Sequence, residues 1–349
     1  MPPVMTVVVT GAAGHLGVTL VRTLLAQGRR VRALCRADVR GLAGLDVELV
    51  RVDIRRREAV VQAFEGADLV IHAAARISLR SSEDPELNAV NVGGTAAVVD
   101  ACLGTGVARL VHVSSVHALD LDNAATVDEH LPLAEGKTSS PYDRSKAAAE
   151  REVLRGVAAG LDAVIVNPAA VLGPFDYKPS QIGRLLLDLR AGELPALTGG
   201  SQSWVDVRDV AAGTLAAASH GRRGERYLLA GHRRTLVELV KMAAQVVGVA
   251  PPRLVVPLGL LAAIAPAAEF VSRLRGREPT LTPVSVRALR GPLDVRIDRA
   301  RRELGYAPRP LQETVAETMA WLCEHHRRPR EGPRTKARQT SATQANNER

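Results

Sequence analysis

Apolar runs and amphipathic stretches alternate along the first two thirds of the chain. The run Val4–Thr10 has the pattern of a buried strand, and after a glycine-rich turn a helical pattern continues to about Gln27. Further strands are expected at Val31–Cys35, Val47–Val52, Leu69–Ala74, Leu110–Ser114 and Ala163–Val166. Helical spacing fills the gaps at Arg55–Phe64, Gly93–Leu103 and Tyr142–Val157. Strands that are apolar throughout imply burial on both faces, hence a parallel sheet clothed by helices. Right-handed crossovers then give an α/β fold with a doubly wound parallel sheet.

After Pro168 the rhythm loosens and Pro and Gly cluster, as at Gly173-Pro174, Gly199-Gly200 and Pro251-Pro252. The expected organisation is a sheet domain over residues 1–170, completed by part of 203–231. A smaller, mainly substrate-binding C-terminal region follows over 171–325, and a disordered basic tail over 327–349.

Composition narrows this picture. The 349 residues are 46% hydrophobic and 24% charged, as in ordinary globular chains, but only 3% aromatic, so the core is built from Ala, Val and Leu. A net charge of +9 suggests a nucleic-acid partner until its distribution is read. From Arg327 to Arg349, seven Lys/Arg face Glu331 and Glu348; that tail carries +5 and leaves +4 on the body. No nucleic-acid partner is expected. Cys35, Cys102 and Cys323 show no metal spacing and suit a reducing, cytoplasmic compartment, and no metal is expected. The N-terminus runs directly into a strand without a basic region or cleavage site. The apolar stretch Val255–Ala268 is interrupted by Pro257, Gly259 and Pro266 and is shorter than the roughly 20 residues of a membrane span. It reads as a buried or surface-seeking helix, with weak contact at a membrane surface as the alternative.

The first strand ends in Thr10-Gly11-Ala12-Ala13-Gly14-His15-Leu16-Gly17. Gly11 permits a tight turn, Gly14 clears the approach of a pyrophosphate to backbone N–H groups, and Gly17 allows close helix–strand packing. The following helix N-terminus adds free amides and a positive dipole. This is the phosphate cradle of a Rossmann dinucleotide site, formed by Thr10, Gly11, Ala13, Gly14, His15, Leu16 and Gly17. Enzymes that use NAD place an acid at the end of the second strand; here Arg36 stands there, which favours NADP(H) through forked bonds to a 2′-phosphate. Asp38 nearby keeps NAD(H) open. Asp53, with Ile54, follows the third strand, where its carboxylate either accepts from an adenine amino group or caps a helix. The small residues Ala73, Ala74 and Ala75 leave room for a cofactor backbone, and His72 reads as a packing residue.

Pro141-Tyr142-Asp143-Arg144-Ser145-Lys146 opens a helix, placing Tyr142 and Lys146 one turn apart on one face. An ammonium beside a phenol, together with an oxidised nicotinamide, is expected to lower the phenol pKa into a working range. Ser114 and Ser115 end the fifth strand, where a hydroxyl can bond a substrate oxygen.

These motifs, with Asn91-Val92-Gly93-Gly94-Thr95, Asn167-Pro168 and Trp204-Val205-Asp206-Val207-Arg208-Asp209-Val210, resemble the extended short-chain dehydrogenases/reductases, the NAD(P)-dependent epimerase/dehydratase family. The likeness spans Val4 to Leu322. It is nearest the dihydroflavonol reductase-like and 3β-hydroxysteroid dehydrogenase-like branch, through Arg36, Asn167-Pro168 and the segment 174–179. The resemblance implies Ser115 as catalytic serine, Tyr142 as acid/base and Lys146 as ribose ligand. It also implies Asn91, Ser114 and Pro168 near the cofactor, and a possible homodimer paired through the helices near Tyr142. Phe175–Ser180 and Trp204 are candidate pocket residues, while Asp206 and Asp209 read as structural. Sugar-nucleotide dehydratases carry Asp-Glu after the serine or threonine; here Val116-His117 follow Ser115. The expected activity is NADP(H)-dependent reduction of a ketone or aldehyde, or oxidation of the alcohol. An NAD-dependent nucleotide-sugar epimerase and a non-catalytic NADP-sensing regulator are the alternatives.

Overall fold

The computed structural model describes residues 5–326 apart from 123, 137, 276–278, 280 and 291–293, so the basic tail and Val4 lie outside the described residues. Seven strands form one sheet: β1 (Thr6–Thr10), β2 (Arg30–Cys35), β3 (Glu48–Arg51), β4 (Leu69–His72), β5 (Arg109–Val113), β6 (Ala163–Pro168) and β7 (Arg226–Leu229). Their spatial order is β7-β6-β5-β4-β1-β2-β3, and every pairing is parallel. The order reverses between β1 and β4, which opens a crevice at the carboxyl ends of the strands.

Helices α1 (His15–Ala26), α2 (Arg57–Phe64), α3 (Gly94–Thr105), α4 (Pro141–Ala158) and α5 (Val207–His220) cover the two faces. The strand period of two decides which residue serves which layer. Val7 and Val9 meet Val18, Leu20 and Val21 of α1 and Val210 of α5. Val8 points the other way, onto Val60 and Phe64 of α2 and Val98 of α3.

Three local expectations change. The edge strand β3 is largely exposed rather than buried on both faces, because nothing pairs beyond it. The helix expected from Arg55 begins at Arg57, because Asp53 folds a turn by accepting the Arg55 N–H at 3.0 Å. The helix expected from Gly93 is entered through a π-turn over Ala89–Gly93. The continuous helical stretch Pro85–Thr105 is long and apolar enough to cross a membrane, but it is a core helix, with Val98, Val99 and Ala101 fully buried.

Beyond β6 the chain builds a second core. Ala170–Leu172, Ser201–Asp206 and His232–Thr235 form a three-stranded sheet. The helices Gln181–Ala191, Leu236–Val247 and Leu311–His325 close over it, burying Leu186, Trp204, Leu239 and Met319. Two more helices, α6 (Leu258–Leu274) and α7 (Pro283–Arg290), pack against each other.

Phe64 is completely buried in the α2 layer, so Phe64→Ala should cost about 3–5 kcal/mol by lost transfer energy and the cavity left behind. Leu49→Ala on the exposed edge strand should stay within about 0.5 kcal/mol of the parent. Denaturant unfolding of the two variants measures the difference.

Candidate active site

The crevice begins at the glycine loop. Gly11 adopts φ 66°, and a Cβ there would stand 2.7 Å from the Ala74 Cα. At Gly17 a Cβ would meet the Gly11 carbonyl oxygen at 2.1 Å. Both glycines are therefore required by backbone approach as well as by the turn. Gly14 caps α1 in an extended conformation with no side-chain cap, and no acid stands in the first turn of α1. The loop therefore leaves backbone donors and the positive helix end for an anion, as a dinucleotide pyrophosphate requires. The residues present fit that group.

A buried relay fixes the loop to its neighbours. The Ala74 N–H donates to Thr10 Oγ1 at 3.2 Å, and Thr10 Oγ1 lies 2.7 Å from His72 Nδ1. His72 Nε2 is 3.1 Å from Thr95 Oγ1, which donates to the Asn91 carbonyl at 2.6 Å. That last bond makes Thr95 the acceptor from His72 Nε2–H, so Nδ1 accepts from Thr10. Burial, aided by the Lys146 charge, draws His72 down to about 3 and keeps the ring neutral. The side chain reads as a structural strap at the strand end.

Asn91 extends the relay. Its Oδ1 accepts the Arg76 N–H at 2.8 Å, and its Nδ2 donates to the Arg76 carbonyl and to Ser145 Oγ at 3.0 and 2.9 Å. Ser145 Oγ donates to the Tyr142 carbonyl at 2.7 Å. The amide of Asn91 thus ties the loop after β4 to the first turn of α4. His15 is also engaged: its Nε2 donates to the Pro174 carbonyl at 2.9 Å. The Ile54 side chain is buried and packs on Gly94, while Ala75 is exposed beside half-buried Ala73 and Ala74. Leu16 and Ala13 pack partly against the core. Pro168 ends β6, in register with Leu229 of β7.

At the end of β2, Arg36 is exposed. The nearby carboxylates have arginine partners. Hydrogen bonding from Arg40 holds Asp38 down to about 2. Hydrogen bonding from Arg55 lowers Asp53 to about 2 despite partial burial, with Arg36 adding to the effect.

Helix α4 starts with Pro141 behind a Ser140/Asp143 capping box, which sets Tyr142 on the first turn. The Ser115 hydroxyl accepts the His117 N–H at 3.2 Å. Lys146 is buried, and its ammonium donates to the Val113 carbonyl at 3.0 Å. Burial pushes the phenol up to about 12, with Asp143 adding to the rise and Ser115 opposing it. Burial also draws Lys146 down to about 8, against the pull of Glu150. In the protein alone the phenol shifts upward: desolvation dominates, and the Lys146 ammonium is engaged at the end of β5. Ser114 Oγ is buried beside this pair without a hydrogen bond among the described residues.

A second buried set positions Ser115; the sequence marked Asn167 within a family motif but gave it no such role. Asn167 Nδ2 donates to the Ser115 carbonyl at 2.9 Å and to Glu150 Oε1 at 2.6 Å. Glu150 Oε2 pairs with Arg226 of β7 at 3.0 Å. Glu150 continues the Tyr142–Lys146 face at the next i+4 step.

A cavity of about 1040 Å³ lies beside the start of α4, lined by Pro141 and Asp143 but not by Tyr142 or Ser115. His117, Ser140 and Asp143 form one wall; Leu119, Val284 and Val286 contribute to another. His117 Nδ1 lies 3.2 Å from Asp143 Oδ1, and its ring stands edge-on to Tyr142 at 6.2 Å. Residues 174–180 and Trp204 do not line this cavity. Phe175 and Tyr177 instead clamp Trp321 and Arg22, and the Trp204 indole N–H donates to the Arg234 carbonyl. Asp206 and Asp209 are structural, bonding Arg208 and Arg309.

A glycine cradle at the switch point of a doubly wound sheet, with a serine at a neighbouring strand end and a tyrosine and lysine on the helix beside it, has the layout of a dinucleotide-dependent enzyme. The chain belongs to the NAD dependent epimerase/dehydratase family, whose model matches residues 7–230. It is 38% identical over 324 residues to "Sterol demethylase protein B" of Methylococcus capsulatus, covering 92% of this chain and 99% of that one. It is 32% identical to "4-hydroxy-2-methyl-3-oxo-4-farnesyl-3,4-dihydroquinoline-1-oxide ketoreductase" of Stigmatella aurantiaca, over 86% of this chain and 91% of the relative. It is 29% identical to "3beta-hydroxysteroid-dehydrogenase/decarboxylase isoform 1" of Arabidopsis thaliana, over 84% and 70%. The crystal structure of gox2253 superposes with a TM-score of 0.79 at 35% identity, covering 92% of this chain and 98% of the other. A dTDP-glucose 4,6-dehydratase from Streptomyces venezuelae, solved with NAD and TYD, gives 0.74 at 25%, with the same coverage. The protein is an NAD(P)-dependent oxidoreductase of the extended short-chain dehydrogenase/reductase class.

Gly17→Ala forces a methyl into the Gly11 carbonyl and should lower dinucleotide affinity by at least about tenfold, because the cradle must move. Titration of NADPH by fluorescence, alongside a melting curve, reads that loss.

Proposed function

We propose that this enzyme reduces the carbonyl of an apolar ketone or aldehyde with NADPH, or oxidises the matching alcohol, with Tyr142 as proton donor and acceptor. The observation that carries this reading is the meeting of Tyr142 and Lys146, on one face of α4, with the end of β5, where the Lys146 ammonium donates to the Val113 carbonyl two residues before Ser115. A large, partly apolar cavity lies next to them, lined by Pro141 and Asp143 on either side of Tyr142. When bound, the dinucleotide supplies or accepts the hydride. The residues expected to hold it are Gly11, Gly14 and Gly17 at the pyrophosphate, Lys146 at the nicotinamide ribose, and Ser114 and Pro168 at the strand ends.

In the reductive direction Tyr142 must begin protonated, and a phenol at about 12 is protonated across the physiological range. Its proton passes to the substrate oxygen, while the Ser115 hydroxyl donates to the same oxygen as charge develops there. Lys146, buried at about 8 and one turn from Tyr142, would offset the phenolate left there once substrate and cofactor are bound. The His117–Asp143 pair sits on the cavity wall where a substrate polar group would be read.

NADP(H) over NAD(H) is supported by exposed Arg36 and by the engagement of Asp38 and Asp53 with Arg40 and Arg55. Neither acid then stands free to accept ribose hydroxyls, while a guanidinium awaits a 2′-phosphate. An apolar substrate is supported by the aliphatic cavity wall and by the sterol and farnesyl compounds in the relatives' names. Dehydration is disfavoured because Val116 and His117 occupy the positions where dehydratases resembling this scaffold carry their acid pair.

Tyr142→Phe should reduce kcat for NADPH-dependent ketone reduction by about 10²–10⁴-fold with little change in NADPH affinity. Unchanged turnover would remove Tyr142 from the chemistry. In the parent enzyme the reduction rate should fall as pH rises through about 8, where Lys146 loses its proton. A kcat profile from pH 6 to 10 displays that limb. Arg36→Ser should lower the NADPH-over-NADH ratio of kcat/KM by about tenfold or more, through loss of a charge-assisted bond.

A further inference from the structure

Helix α6 is apolar on the side it turns away from the protein. Leu260, Ala263, Ile264, Ala267, Phe270, Val271 and Leu274 recur at helical spacing and all are exposed. Phe270, one of three phenylalanines in the chain, is 62% exposed, and Leu274 is 73% exposed. Seven of the thirteen large hydrophobic residues exposed among the described residues fall between Leu254 and Leu274. A folded chain does not normally leave so continuous an apolar stripe in water.

The inner face is firmly seated. Ala265 is fully buried, and Glu269 is buried with its carboxylate accepting the Ser81 N–H at 2.9 Å and the Ser81 hydroxyl at 2.8 Å. The stripe is therefore a fixed surface. It is about 21 Å long from Leu260 to Leu274, at about 1.5 Å per residue.

Charge decides what covers it. Exposed Arg253 precedes the helix and exposed Arg275 follows it. The one acid between Arg253 and Arg275 is Glu269, which faces inward. A second copy laid along this face sets arginine near arginine in either an antiparallel or a parallel pairing, with no acid from the stripe to meet them. An anionic lipid surface satisfies both ends while taking up the hydrocarbon between them.

We propose that α6 docks this enzyme flat on anionic membrane, its outer face in the acyl–headgroup boundary. The same helix contributes Ala262 to the cavity that reaches His117 and Asp143. On the reading of an apolar carbonyl substrate, docking sets the wall of the cavity against the phase in which such a substrate dissolves.

The test is flotation of the full-length enzyme with vesicles of phosphatidylcholine alone and of phosphatidylcholine mixed with phosphatidylglycerol. The parent should float with the anionic vesicles and be released by salt. Ile264→Glu/Phe270→Glu should lose at least about tenfold in binding, while Leu49→Glu, on the exposed edge of the sheet, should not. Turnover of a small water-soluble ketone should be unchanged in the double variant, which shows that it is folded. No binding by the parent would overturn the proposal. So would equal binding by the double variant, which would leave the basic tail as the contact. A dimer in sedimentation that this variant dissociates, without vesicle binding, would also overturn it by assigning the face to a second copy. None of these outcomes bears on Tyr142, whose role is read separately with the soluble ketone.

Discussion

One hydrogen-bonded chain runs from the phosphate cradle to the proposed proton donor. It passes from the Ala74 amide through Thr10, His72 and Thr95 to the Asn91 carbonyl, and from the Asn91 amide through Ser145 to the Tyr142 carbonyl. Most of its members are buried, so each bond is made where a missing partner would cost on the order of 1–3 kcal/mol. The chain couples β1, β4, the π-turn and α4 into one rigid edge. The distance between the anion cradle and the phenol is thereby set by the protein before any ligand arrives.

Burial at that edge moves two ionisable groups in opposite directions, up for the phenol and down for the ammonium. On the proposed reductase reading, the same physical cause suits both partners. The donor keeps its proton at neutral pH, and the neighbouring cation sits close enough to the end of its charged range to respond to its surroundings. Asp143 has a double part: it caps the helix that presents Tyr142 and raises the cost of ionising it.

What the sequence made legible was whatever steric necessity writes into single positions. Gly11 and Gly17 could be read because the Ala74 backbone and the Gly11 carbonyl leave no room for a side chain. Tyr142 and Lys146 could be read because helix spacing puts them on one face. The cavity walls could not, since Leu119, Ala262 and Val286 come from segments brought together only by tertiary packing. Rarity misled in the case of Phe175 and Trp204: these aromatics serve packing, Phe175 against Trp321 and Trp204 across to the next strand at the Arg234 carbonyl. The direction of the Tyr142 shift was likewise hidden, because desolvation belongs to the folded surroundings rather than to the neighbours in sequence.

The pairing of Glu150 with Arg226 carries a consequence for how the chain comes to life. A carboxylate sealed in the interior is unfavourable unless cations surround it; Lys146 stands one turn back on the same helix, but the direct ion-pair partner lies on the seventh strand, seventy-six residues further along. While the polypeptide emerges from the ribosome, Glu150 lacks that partner until the last strand has been made. The buried set behind Ser115 is thus finished from the far end of the sheet, when nearly two thirds of the protein has been synthesised.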